Sequence, residues 1–138
     1  MTADTIHASC VAIDGAVVLI AGPSGAGKSD LALRLIDRGA TLVSDDRTII
    51  EPHGGRLIAR APDRIAGRIE VRGVGIVDMP FAANLPVALI VEADDAPARL
   101  PEPATATLHG IAVPLARLAL REASTPCKID LLLQRTLA

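Results

Sequence analysis

Residues Gly22-Pro23-Ser24-Gly25-Ala26-Gly27-Lys28-Ser29 carry the Gly-x-x-x-x-Gly-Lys-Ser spacing of a phosphate-binding loop. Glycines there let successive backbone N–H groups converge on phosphate oxygens without a Cβ in the way. A helix opening at the end of the loop adds its positive N-terminal end. Lys28 is then suited to neutralise the terminal phosphates of a nucleotide such as ATP, and the Ser29 hydroxyl to ligate Mg²⁺. This points to nucleotide or polyphosphate binding but leaves the reaction open, because ATPases, GTPases and small-molecule kinases share the loop. The sequence has no Asn-Lys-x-Asp run for reading guanine. Its length also leaves little room for the lid and acceptor segments of the usual small-molecule kinases.

Other residues could complete a phosphoryl-transfer site. The segment Leu42-Val43-Ser44-Asp45-Asp46 sets two carboxylates directly after a short apolar run. Strand C-terminal ends line the same crevice as the phosphate loop in an α/β sheet. A carboxylate there can hold Mg²⁺ or accept a proton from an attacking hydroxyl, although an Asp pair is also ordinary turn chemistry. Asp78 and Glu92 also end apolar runs, so the acidic partner of the loop has several candidates. His7 stands near the start of the first strand, and Glu70 within an alternating one, where structural roles are as open to them as chemical ones.

The elements that must position these residues are legible as an α/β pattern. Apolar spacing predicts a strand over 6–13, a turn at Asp14-Gly15, and a fully apolar central strand over 16–21. Lys28 to Arg38 reads as a helix with an apolar face of Leu31, Leu33, Leu35 and Ile36, stopped by Gly39. A short strand follows over 41–44, then a hairpin turning at His53-Gly54-Gly55. Residues 68–80 alternate before becoming apolar, 87–92 is a second central strand, and 112–120 returns to strand. Residues 94–110, rich in Asp, Pro and Ala, read as loop with at most a short helical turn. Ser124 is placed as an N-cap, with Pro126 opening a last helix through Leu132, Leu133 and Leu137. Strands outnumber helices, so the expected fold is α/β with a mixed sheet, in a single domain over 1–138.

With 138 residues, half of them hydrophobic, the chain can build a real core. No apolar run approaches the roughly 20 residues of a membrane span, and the N-terminus is not the basic, apolar leader of a signal peptide. A net charge of −2 and a single aromatic residue, Phe81, provide neither basic stripe nor stacking platform for nucleic acid. Cys10 and Cys127 lack metal or redox spacing and are expected as buried small hydrophobes in a cytoplasmic protein.

Taken together, the segment from His7 through the phosphate loop to Asp45-Asp46 resembles the opening catalytic segment of HPr kinase/phosphorylase. Glu70-Val71-Arg72-Gly73-Val74-Gly75-Ile76 is similar to the family's second characteristic stretch. The resemblance is strongest up to residue 80. It implies a phosphoenolpyruvate carboxykinase-like nucleotide fold, and ATP-dependent phosphorylation of a seryl hydroxyl on an HPr-like phosphocarrier protein of the phosphotransferase system. It further implies Lys28 on the phosphates, Ser29 and Glu70 as Mg²⁺ ligands, Asp45 as proton acceptor, and His7 beside the transferred phosphate. Arg99, before Leu100 in a loop after the central strand, matches the family's catalytic arginine. The family's N-terminal domain and extended C-terminal helices have no counterpart here, so a short form is expected, with a homo-oligomer left open. The family's Pro-Val-(Lys/Arg)-Pro-Gly-Arg-Asn run, associated with phosphorolysis, is reduced to Arg121 in segment 119–125 with Lys128 nearby, which puts the reverse reaction in question. Two other readings stand beside the kinase: a small-molecule kinase on the same fold, and a nucleotide- or phosphate-sensing module without efficient transfer.

Overall fold

The computed structural model describes residues 3–137. Its first strands change neighbours at His7. Strand β1 (Asp4–Ile6) and strand β2 (Ala8–Ile13) are separated by that single residue. The turn Asp14–Gly15 has left-handed backbone at both positions (φ 51° and 80°), which suits the right-handed twist of a two-residue hairpin. It returns the chain as β3 (Ala16–Ala21), paired in register with β2 from Ile13↔Ala16 to Ala8↔Ala21. After the phosphate loop comes helix α1 (Lys28–Asp37), then β4 (Thr41–Ser44), β5 (Thr48–His53) and β6 (Arg56–Arg60). A 3₁₀ turn at Asp63–Ile65 leads into β7 (Arg68–Val71) and β8 (Gly75–Asp78). The chain ends through β9 (Leu85–Ala93), β10 (Ala104–Leu108), β11 (Ile111–Leu118) and α2 (Thr125–Leu137).

Nine strands form one mixed sheet. Its path runs β1-β5-β6-β9-β3-β2-β4, and β11 joins the same side of β9 as β6, with β10 beyond it. Only β3 with β9 and β9 with β11 pair in parallel, so these three strands end side by side at the phosphate loop. Strands β7 and β8 form a separate two-stranded ribbon.

Alternation along the central strands divides the core in two. Val18 and Ile20 of β3, with Leu89 and Val91 of β9, face Leu31 and Leu35 of α1, Ile129 and Leu133 of α2, and Ile69 of the ribbon. Val17, Leu19 and Ile90 point the other way, onto Ile50, Leu57 and Ala59 of the β5–β6 hairpin and Val113 of β11. Helix α1 stops as the sequence predicts. Gly39 (φ 109°) donates to Ile36 O at 3.0 Å and Ala40 to Leu35 O at 3.0 Å, a Schellman closure that satisfies two terminal carbonyls. In α2 the Ser124 carbonyl accepts from Lys128 N at 3.0 Å, which puts Ser124 at the N-cap position.

Two expectations are corrected. Residues 104–108 form strand β10, hidden in the sequence because Ala and Thr alternate without a large apolar side chain to mark the buried face. Cys127, expected inside, is exposed; Cys10 is buried as expected. No helix among the described residues is long and apolar enough to cross a membrane.

Candidate active site

The parallel strand β3 delivers Gly22 to the C-terminal edge of the sheet, next to the end of β9. A Cβ on Gly22 would sit 2.8 Å from Ala93 Cβ, so only glycine allows the loop to leave the sheet this closely. The loop tightens through Ala26 N donating to Pro23 O at 3.1 Å. Gly27 then occupies the N-cap of α1 in left-handed backbone (φ 101°) with no side-chain cap, which leaves the helix N-terminus available to an anion. Lys28, 6% exposed, folds back and donates to Gly22 O (2.8 Å) and Pro23 O (3.0 Å). Its ammonium therefore braces the loop from beneath, within reach of what the loop holds.

Strand β4 ends at Ser44, and the two carboxylates that follow part company. Asp45 is 8% exposed. Its Oδ1 accepts from Ser29 Oγ (2.5 Å) and Ser9 Oγ (3.2 Å), and its Oδ2 accepts from the Glu70 backbone N–H (3.0 Å). Asp46 takes a left-handed backbone (φ 67°), which Asp tolerates better than most residues. Its N–H donates to Ser9 Oγ at 3.0 Å. Its side chain turns outward, 56% exposed, and Oδ1 accepts from His7 Nε2–H at 2.6 Å. The Ser44 hydroxyl donates to Arg47 O, and Arg47 N donates to Asp45 O (2.7 Å), which fixes the turn carrying both acids.

These groups line one cleft of about 860 Å³. The phosphate loop and α1 form one wall and residues Glu70 to Gly75 of the ribbon form the other, with Asp45 and Asp46 at the floor. Of the residues singled out from sequence, Ser24, Gly25, Gly27, Lys28, Ser29, Asp45 and Glu70 line it directly. His7 joins through Asp46. Arg99 is not brought to the cleft. It lies on the exposed β9–β10 loop, and since β10 sits beyond β11, that loop is carried away from β3 and the phosphate loop. The chain after β11 instead turns back across the loop, and Arg121 takes the place at the cleft wall. Its guanidinium donates to Gly25 O, and its Cγ would lie 3.4 Å from a Cβ on Gly27.

Three contributors escaped sequence reasoning or were undervalued by it. Ser9 is a serine within a strand and carries no signal of its own. Asp46 was visible only as half of a pair, and Arg121 only as a basic remnant.

Ser29, Asp45, Asp46 and Glu70 offer hard oxygen donors around the loop, the donor chemistry that suits Mg²⁺. Among the described residues no three His, Cys, Asp or Glu side chains gather closely enough to hold a metal ion unaided.

The profile of the family described as HPr Serine kinase C-terminal domain matches residues 1–82. The chain is 47% identical over 74 residues to an HPr kinase/phosphorylase of Clostridium beijerinckii, covering 54% of this chain and 24% of that protein. It is 42% identical over 87 residues to the one of Clostridium tetani, covering 63% and 28%. The chain thus spans about a quarter of the length of these curated relatives. The solved structure of the Hpr(Ser) kinase/phosphatase from Coxiella burnetii superposes with a TM-score of 0.84 at 30% identity, over 96% of this chain and 95% of that one. The α/β fold with its mixed sheet is therefore that of a known kinase structure. With more than half its length matched by the profile and nearly all of it by the structure, the chain belongs to the HPr serine kinase C-terminal domain family.

Proposed function

We propose that residues 1–138 act as one kinase domain that transfers the γ-phosphoryl group of ATP to a seryl hydroxyl of an HPr-like phosphocarrier protein, in the cytoplasm and in a regulatory role. The observation that carries this reading is the convergence of the phosphate loop, the Ser29–Asp45 pair and the His7–Asp46 pair in one cleft. Lys28, the loop N–H groups and Arg121 would hold and neutralise the phosphates. Ser29, Asp45 and Glu70 would hold Mg²⁺, which when bound offsets phosphoryl charge and orients the oxygens.

The proton has two candidate acceptors. Asp45, assigned from the family resemblance, already accepts three hydrogen bonds at a nearly buried carboxylate. The exposed Asp46, oriented by the His7 N–H, is the better placed acceptor. As the seryl oxygen–phosphorus bond forms and the bond to the bridging oxygen breaks, Asp46 takes the seryl proton and ADP departs. Phosphorolysis is proposed to be weak, since Arg121 alone remains of the run associated with it.

A second reading, a nucleotide-sensing module, gains support from the position of Arg99 outside the cleft. One experiment separates the two. The chain is incubated with Mg²⁺-ATP and its host's HPr-like proteins, and phosphoserine is read by mass spectrometry. One phosphate on a serine, lost in Lys28→Ala and reduced far more by Asp46→Asn than by Arg99→Ala, is expected. Nucleotide binding without transfer would favour the sensor.

A further inference from the structure

Segment 119–122, between β11 and α2, has no strand or helix of its own, yet its backbone is fixed by side chains. Arg34, half-buried on α1, directs two of its three guanidinium nitrogens to this task. Nη1 donates to Glu122 O at 3.0 Å and Nη2 to Leu120 O, while Nε donates to Asp30 Oδ2 at 3.0 Å, one turn back on the same helix. Thr125 Oγ1 adds a bond to Ala119 O at 2.6 Å, and Leu120 is buried beneath the segment. The two carbonyls held by Arg34 are those on either side of Arg121. With its neighbours pinned to α1, Arg121 projects to the phosphate loop and reaches Gly25 O. Arg34 does not line the cleft, whereas Arg121 and its other partner Asp30 do, so its effect on bound phosphate passes through one of these two, and the route through Arg121 is the one a double-mutant cycle isolates.

We propose that Arg34 is a positioning residue for polyphosphate binding: its planar fork clamps the carbonyls of Leu120 and Glu122 and thereby keeps the Arg121 guanidinium over the phosphate loop. The proposal deepens the nucleotide-binding reading of the cleft and rests on it. A planar fork with fixed donor directions can serve two carbonyls and a carboxylate at once, which a lysine ammonium cannot do with the same geometry. The small clamp also explains how one arginine on an irregular segment is held at a loop far away in sequence.

The test is a double-mutant cycle on the full chain, read by calorimetric affinity for inorganic tripolyphosphate and accompanied by thermal unfolding of each variant. Arg121→Ala and Arg34→Met are each expected to weaken tripolyphosphate binding by about tenfold, the scale of one charge-assisted contact. The double variant is expected to match Arg121→Ala, because the clamp has nothing left to position. Arg34→Lys should fall between wild type and Arg34→Met. Additive losses in the double variant, or unchanged affinity in Arg34→Met or Arg121→Ala, would overturn the proposal. If Arg34→Met does not fold, the same cycle is run with Arg34→Lys. Wild-type chain that binds no tripolyphosphate would overturn the reading of the cleft itself, whereas binding without phosphoserine formation would count against the kinase reading alone.

Discussion

The two walls of the cleft are built on opposite principles. The phosphate loop hangs from β3, which has β2 on one side and β9 on the other, and Val17, Val18 and Ile20 are wholly buried. Ser9, Ser44 and Thr48 are buried near it, each with a hydrogen-bond partner. Across the cleft, the β7–β8 ribbon has only itself as a sheet. Ile69 is its one fully buried side chain, and Val74 and Ile76 stand 74% and 72% exposed. The Arg68–Asp78 pair at 3.4 Å is solvent-exposed and adds little. A two-stranded hairpin is marginal alone, so the ribbon is held by Ile69 in the core, by Val71, Val77 and Met79 packed against it, and by Glu70 N–H on Asp45. The donor side is fixed by its own packing and hydrogen bonds, and the far wall is only as fixed as its attachments to the core and to Asp45.

Asp45 is where the two walls meet, so its removal should do the most damage. Asp45→Ala leaves the Ser9 and Ser29 hydroxyls and the Glu70 N–H without their acceptor. We expect phosphoryl transfer to fall by about a thousandfold, and stability in denaturant by about 2–4 kcal/mol. Asp46→Asn should leave stability within about 0.5 kcal/mol because the side chain is exposed, yet lower turnover by about a hundredfold. If Asp46→Asn keeps full turnover, the proton goes to Asp45 after all. Ile69→Ala is expected to act on local stability and to have less effect on turnover than either aspartate variant. Loss of this buried side chain costs about 2–4 kcal/mol of local stability, and amide exchange should quicken across 67–79 while 8–20 stays protected. Equal quickening in both regions would show that the ribbon and the sheet open as one.

The same contrast governs what could be read from the sequence. The loop, α1 with its Gly39 stop, the β2–β3 hairpin and the last helix follow from local signals, because each is decided by periodicity and a few turn residues. What could not be read depends on chain crossings. Arg99 and Arg121 are both exposed arginines after a strand, and nothing local distinguishes them. The order β3-β9-β11-β10 sends one away from the phosphate loop, and only the crossing of segment 119–122 back over α1 returns the other to it. The division of labour between Asp45 and Asp46 is similarly hidden. It depends on Ser9 and Glu70 arriving from distant strands, and on the left-handed turn of Asp46. Strand β10 was lost for a simpler reason, a small-residue alternation too weak to mark a face.

The smallest predicted effect offers the finest probe of how independent the two walls are. Cys10 lies wholly buried in β2, with its Sγ 3.0 Å from Thr48 Oγ1. Burial pushes its thiol up to about 12 from an ordinary 9.0, partly offset by the contact with Thr48. The folded state therefore keeps this proton between about pH 9 and 12, where the unfolded chain releases it, so the contribution to stability declines as pH rises through that window. At pH 8 a disulfide reagent should label the exposed Cys127 promptly and Cys10 only as fast as the sheet opens. In Ile69→Ala the Cys10 rate should stay at its wild-type value, since loss of the ribbon leaves β2 between β3 and β4. A rate that rises in step with the stability lost would mean that the far wall is part of the same cooperative unit, and that the cleft cannot widen without loosening the phosphate loop.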